Sequence, residues 1–159
     1  ASCTAALVIA LGPGFAAGED CHLVIETKRG HDLGRVITSG PAALNTGVPG
    51  DIAGQTDTRV LRAPVGGIFR SDCSIGDAVR TGDVVGYVAA QAVSARLNGV
   101  LRGLLRTGTE VPQGLKLGDI DPRGRREYCD TVSDKARAIA GAVLECVMRH
   151  CNRPAPTQC

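Results

Sequence analysis

Residues 60–120 are written twice, and this repeat constrains the fold more than any other feature of the chain. Moved by 32 positions, Ala63-Pro64-Val65-Gly66-Gly67-Ile68-Phe69-Arg70 falls on Ala95-Arg96-Leu97-Asn98-Gly99-Val100-Leu101-Arg102. With the same shift Gly76 meets Gly108, Val79 meets Val111, Gly82 meets Gly114 and Gly86 meets Gly118. Most of these matches are glycines, which mark backbone at positive φ or in close approach. What has been duplicated is therefore turn geometry, the signature of an internal structural repeat.

Each copy predicts the same order of short strands: 60–65 and 93–97, then 68–70 and 100–105, then 84–88 and 116–120. Gly66-Gly67 and Asn98-Gly99 are dipeptides suited to two-residue hairpin turns. Short strands broken every few residues by turns predict a small all-β unit, here with a pseudo-twofold in which each half buries the apolar face of the other.

Composition agrees. Of 159 residues, 43% are hydrophobic but only 3% aromatic, so a core must come from Val, Leu, Ile and Ala. A net charge of +2 with interspersed signs, and too few aromatics to stack bases, argue against nucleic acid. Seven cysteines at 3, 21, 73, 129, 146, 151 and 159 form no CxxC and predict reduced thiols in the cytoplasm. The apolar start 5–11 is too short to span a bilayer and reads as a buried strand, so no membrane is implied.

Ahead of the repeat, a strand runs into Gly12-Pro13-Gly14, a turn that is either plain or a cradle offering N–H groups to an anion. A second strand over 21–27 leads into a turn rich in charge, with Arg29, His31, Asp32 and Arg35. It reads either as a solvated hairpin tip or as a small polar site in which Asp32 orients His31. Residues 41–55 read as a loop. Beyond the repeat, Asp119 and Asp121 are too few oxygens for a metal site. Thr131 or Ser133 caps a helix whose apolar face is Val132, Ala136, Ile139, Val143, Leu144 and Val147. Cys146 and His150 share a helix face without a clear third metal ligand, so no metal is assigned.

The expected architecture is mainly β (α+β overall). An N-terminal β segment (1–55) precedes the repeat (56–122); a C-terminal helix (123–150) packs on both, and a disordered tail (151–159) follows.

Two resemblances sharpen this reading. Ala63-Pro64-x-Gly66-Gly67-Ile68, with Ile75-Gly76-Asp77-x-Val79-x-x-Gly82-Asp83-Val84-Val85, resembles a biotinyl/lipoyl domain, the barrel-sandwich hybrid of two similar halves. Carrier members of that fold present a modified lysine at a hairpin tip. The corresponding joint here, 87–93, holds none, since the lysines are Lys28, Lys116 and Lys135, so no covalently bound cofactor is expected.

Three further stretches, 8–15 with Cys21-His22 and Glu26-Thr27, 29–37, and 119–138, resemble the YqeB-type accessory proteins of selenium-dependent molybdenum hydroxylases, relatives of xanthine dehydrogenase maturation factors. Members usually carry a further N-terminal part that looks nucleotide-binding. Residues 1–55 then read as the remnant of such a part, either in a fragment or in a protein that works without it.

The resemblance implies a maturation factor whose partner is the hydroxylase or its cofactor, with molybdopterin or its nucleotide form held transiently. It leaves open whether the chain is an enzyme. If selenium or sulfur is handled, a thiolate is needed, and nearby arginines favour one. Cys129, after Arg123, Arg125 and Arg126, is the first candidate and Cys21, beside His22, the second. Gly12, Gly14, Arg29, His31, Asp32 and Arg35 are the candidates for cofactor contact. The alternative is a non-catalytic barrel-sandwich interaction module in which both cysteines are inert core residues.

Overall fold

The structure, a computed structural model, describes residues 5–46 and 50–152. They are mainly β, with several small sheets and one long helix, and divide into two units: Ala1–Gly47 with Val132–Cys159, and Val48–Thr131. The expected tail lies outside the described residues from 153 onward, as do Cys3 and Cys159.

In the first unit, β1 (Ile9–Leu11) runs parallel to β3 (Leu23–Ile25), and β3 pairs antiparallel with β4 (Val36–Ile37). β2 (Ala16–Ala17) and β5 (Gly40–Pro41) form a separate ribbon. Neighbouring residues of a strand point to opposite faces, and in β3 both are fully buried. Val24 joins Ala17 and Ala42 in one cluster, and Ile25 joins Ala142 and Cys146 in another. A central strand covered on both faces explains the unbroken apolar run Leu23-Val24-Ile25.

The covering element on the Ile25 side is α1 (Asp134–Cys151). Its start is the expected one: Ser133 Oγ accepts the Ala136 N–H at 3.1 Å, and Asp134 favours the positive end of the helix dipole. The buried stripe differs from the expected one. It consists of Ala142 and Cys146 with the half-buried Ile139 and Val143, whereas Val132 and Leu144 are 62% and 61% exposed.

The second unit holds the repeat. Its strands are β6 (Val60–Arg62), β7 (Gly67–Arg70), β8 (Ala78–Val79), β9 (Val84–Val88), β10 (Gln91–Ser94), β11 (Gly99–Leu104), β12 (Glu110–Val111) and β13 (Lys116–Asp121). They form two four-stranded sheets, in the orders β10-β9-β7-β12 and β6-β13-β11-β8. Exchanging each strand for its repeat partner turns one order into the other. The shared core obeys the same rule. Leu61, Ala63, Phe69, Val79, Val85 and Val88 in one copy lie 32 positions from Val93, Ala95, Leu101, Val111, Leu117 and Ile120 in the other, and all twelve belong to one cluster.

The duplicated glycines do matching work. Gly76 and Gly108 have φ of +99° and +87°, and Gly82 and Gly114 have +94° and +81°. Gly82 N–H donates to Ala95 O at 2.9 Å and Gly114 N–H to Ala63 O at 2.8 Å, each reaching into the other copy.

One local expectation is overturned. Gly66-Gly67 and Asn98-Gly99 do not close hairpins, because β6 pairs with β13 while β7 pairs with β9 and β12. The chain crosses between sheets at these dipeptides. A two-residue loop occurs instead at Ala89-Ala90, between β9 and β10, where Ala89 has φ +52°. This is the lysine-free joint.

Candidate functional site

In the first unit the glycine turn and the charged loop are both anchored through β3. Gly12 N–H donates to Ile25 O at 2.9 Å, and Thr27 Oγ1 donates to Gly12 O at 2.6 Å. A side chain at Gly12 would collide with Ala42, so this glycine is set by packing, while Gly14 (φ +94°) has open space around it.

The loop that follows is fixed at its base by Glu26, which sequence reasoning did not single out as a site residue. Its carboxylate is buried at 5% exposure and accepts the N–H groups of Lys28 and Ala43, each at 2.7 Å. Burial pushes its pKa up. Hydrogen bonds from the backbone of Ala43, Lys28 and Thr27 more than offset this and hold it below the usual carboxylate value. Glu26 main chain also pairs with Arg35 O and Gly34 N–H, both at 2.9 Å. The only hint in the sequence is an acid placed directly after an apolar strand.

The four charged candidates around this base do not converge. Arg29 makes a two-pronged pair with Asp134 at the start of α1, at 2.5 and 3.0 Å. Asp32 pairs with Arg35 at 3.2 Å, both exposed, and does not orient His31. His31 is exposed and makes no hydrogen bond among the described residues. Asp32 and Arg35 do share, with Glu26, Thr38 and Ser39, the lining of a depression of about 300 Å³. Cys21 is half-buried against the Val24 cluster, and its Sγ donates to Leu23 O at 3.3 Å.

In the second unit, Cys129 ends a short 3-10 turn (Arg126–Cys129) and its Sγ donates to Leu101 O at 3.6 Å. The arginines preceding it have other engagements. Arg123 binds Asp121 through Nε at 2.9 Å and Nη2 at 2.6 Å, with its guanidinium 4.4 Å from the Tyr128 ring centre. Arg125 lies 5.6 Å from the same ring, and the Arg126 guanidinium stands beside Gly76. Asp121, 1% exposed, takes Arg102 as a second partner at 3.3 Å. Hydrogen bonding from Arg123 keeps its carboxyl below the ordinary value against the opposing effect of burial. An acid weighed as a metal ligand is therefore the anchor of an arginine pair.

Among the described residues no three His, Cys, Asp or Glu side chains gather as a metal site, and no helix is long and apolar enough to cross a membrane. Cys146, which shares a helix face with His150 in the sequence, is fully buried, and burial pushes its thiol pKa up.

Fold and candidate residues together define a mainly β protein built on an internally duplicated pair of sheets, with a capped helix in a separate unit. No family model matches the chain. Over 144 residues it is 57% identical to a protein of Escherichia coli (strain K12) named "Uncharacterized protein YqeB", a match covering 91% of this chain and 27% of the relative. The YqeB-type resemblance is supported by this relative, of whose length the chain spans about a quarter.

Among solved structures it is similar in part to an aspartoacylase family protein from Mesorhizobium loti, at 24% identity and a TM-score of 0.36 over 40% of this chain and 23% of that one. A succinylglutamate desuccinylase/aspartoacylase from Rhodobacter sphaeroides gives 22% identity and a TM-score of 0.36 over 54% and 30%.

Proposed function

We propose that this chain is part of an accessory protein that assists assembly of a selenium-dependent molybdenum hydroxylase, by holding molybdopterin, its nucleotide form or the target enzyme. The observation that carries this reading is the match to YqeB, 57% identical over 144 residues and covering 91% of this chain. We read the second unit as a barrel-sandwich hybrid; the matched strand orders and the six core pairs support that reading. In it the carrier scaffold is kept while the lysine arm is gone, so the unit holds a partner and does not ferry a covalent group.

A second reading, an interaction module without cofactor chemistry, is favoured by one observation. The candidate groups are largely committed internally: Arg29 to Asp134, Asp32 to Arg35, and Cys129 Sγ to Leu101 O. Titrations with molybdopterin, with its nucleotide form and with the hydroxylase separate the two. Binding of the cofactor, or of the enzyme with faster recovery of its activity, supports the first reading; binding of the enzyme without such recovery supports the module; and binding of none of them removes both.

A further inference from the structure

The two sheets of the second unit end in open strands at one place. β6 pairs only with β13, and β10 only with β9, among the described residues. These edges are partners in the internal repeat, and a groove of about 290 Å³ is lined by both. Ala92 and Ser94 of β10 are exposed there, whereas Val60, Leu61 and Ala63 are buried and Val60 O accepts from Arg96 Nη2 at 3.3 Å, so the open main chain lies on the β10 side. Open edges invite an added strand, and main-chain pairing of that kind needs no particular side chains.

What selects the occupant is charge. Arg62 ends β6 and Arg96 follows β10, and both reach one carboxylate, that of Asp57, which also lines the groove. Arg96 Nη2 lies 3.1 Å from Asp57 Oδ2 and also donates to Asp57 O at 2.5 Å; Arg62 Nε is 3.7 Å from Asp57 Oδ1. The side chains of Arg62, Arg96 and Asp57 are 41%, 50% and 58% exposed. Ion pairs this open to water contribute little and exchange readily. Asp57 thus holds a place that another carboxylate can take.

We propose that the groove between β6 and β10 docks an extended acidic peptide segment of a partner protein. Its main chain pairs with the β10 edge, and its aspartate or glutamate replaces Asp57 between Arg62 and Arg96. The proposal does not depend on which enzyme the chain serves.

The test is fluorescence anisotropy of the full chain with a labelled, acetylated Val-Asp-Val-Asp-Val amide, beside the same peptide carrying Asn for Asp. The Asp peptide is expected to bind, with the Asn peptide and the Arg96→Gln variant each weaker by about tenfold. Asp57→Asn removes the internal competitor and is expected to bind severalfold more tightly. Arg62→Gln serves if Arg96→Gln lowers the melting temperature. Equal binding of both peptides, an Asp57→Asn protein that binds no better than the parent, or no binding to either protein overturns the proposal. Free aspartate matching the peptide would assign the groove to small carboxylates, and self-association that excludes the peptide would assign it to a second copy; either result also overturns it.

Discussion

Phe69 and Leu101 accept the same hydrogen bond from equivalent glycines: Gly108 N–H donates to Phe69 O and Gly76 N–H to Leu101 O, both at 2.7 Å. Both side chains are fully buried in the shared cluster, and their amide groups also answer each other, Phe69 N–H donating to Thr109 O and Leu101 N–H to Asp77 O, at 2.9 Å in each case. Each copy of the repeat is closed by groups from the other, so neither half has a complete core or a complete set of backbone partners alone.

This interlock predicts the response to truncating either side chain. Phe69→Ala should cost about 3–5 kcal/mol and Leu101→Ala about 2–5 kcal/mol, since each leaves a cavity in the same core. Urea unfolding followed by circular dichroism measures both. A half expressed alone, residues 56–90, should show no cooperative transition.

Glycine substitutions should separate into two classes. A Cβ at Gly86 would lie 2.6 Å from Arg70 O, and one at Gly118 would collide with Gly103 O, whereas Gly82 and Gly114 have open space but positive φ. Alanine at Gly86 or Gly118 should lower stability by about 1–3 kcal/mol or more through overpacking. At Gly82 or Gly114 the cost should be about 1–2 kcal/mol, from left-handed backbone alone. Thermal melts of the four variants give the order, and a neutral Gly118→Ala would contradict the β11–β13 register.

Much of this was legible in the sequence, because the repeat is carried by glycines whose backbone demands are specific. Strand partners were not. Gly66-Gly67 satisfies local turn chemistry, yet β6 is held by the later strand β13, and no local signal states which sheet receives the next strand. The helix face failed for a related reason. Ile139, Ala142, Val143 and Cys146 form one stripe at helical spacing and Leu144, Val147 and Met148 another, and only the apposed sheet decides which is covered. Around the candidate site, residue types were visible but partners were not: Asp121 meets Arg102 across two paired strands, a relation that only register creates.

Acid should weaken the second unit through Asp121. Its carboxyl titrates below the ordinary value in the folded protein, chiefly through Arg123, so its contribution is complete above the unfolded value near 4 and is lost as pH falls through the folded value. Asp121→Asn should cost about 3–5 kcal/mol at neutral pH, because Arg102 and Arg123 lose a buried partner. It should also flatten the acid limb. Urea titrations at neutral pH and at successively lower pH check both effects.

Expression beside biotin and lipoate ligases should leave the chain at its bare polypeptide mass. The β9–β10 loop presents Ala89-Ala90, and the lysines of the sequence, Lys28, Lys116 and Lys135, lie elsewhere. Intact mass spectrometry reads this directly; a biotin- or lipoate-sized increment would contradict the reading of a scaffold without its arm.

The proposed role in maturation is tested most directly by titrating the chain against molybdopterin, its nucleotide form and the cofactor-free selenium-dependent hydroxylase, with binding followed by calorimetry. The account predicts saturable one-to-one binding of the cofactor in either form, or of the hydroxylase together with faster recovery of its activity. Absence of binding to all three, with the chain shown to be folded, would contradict it.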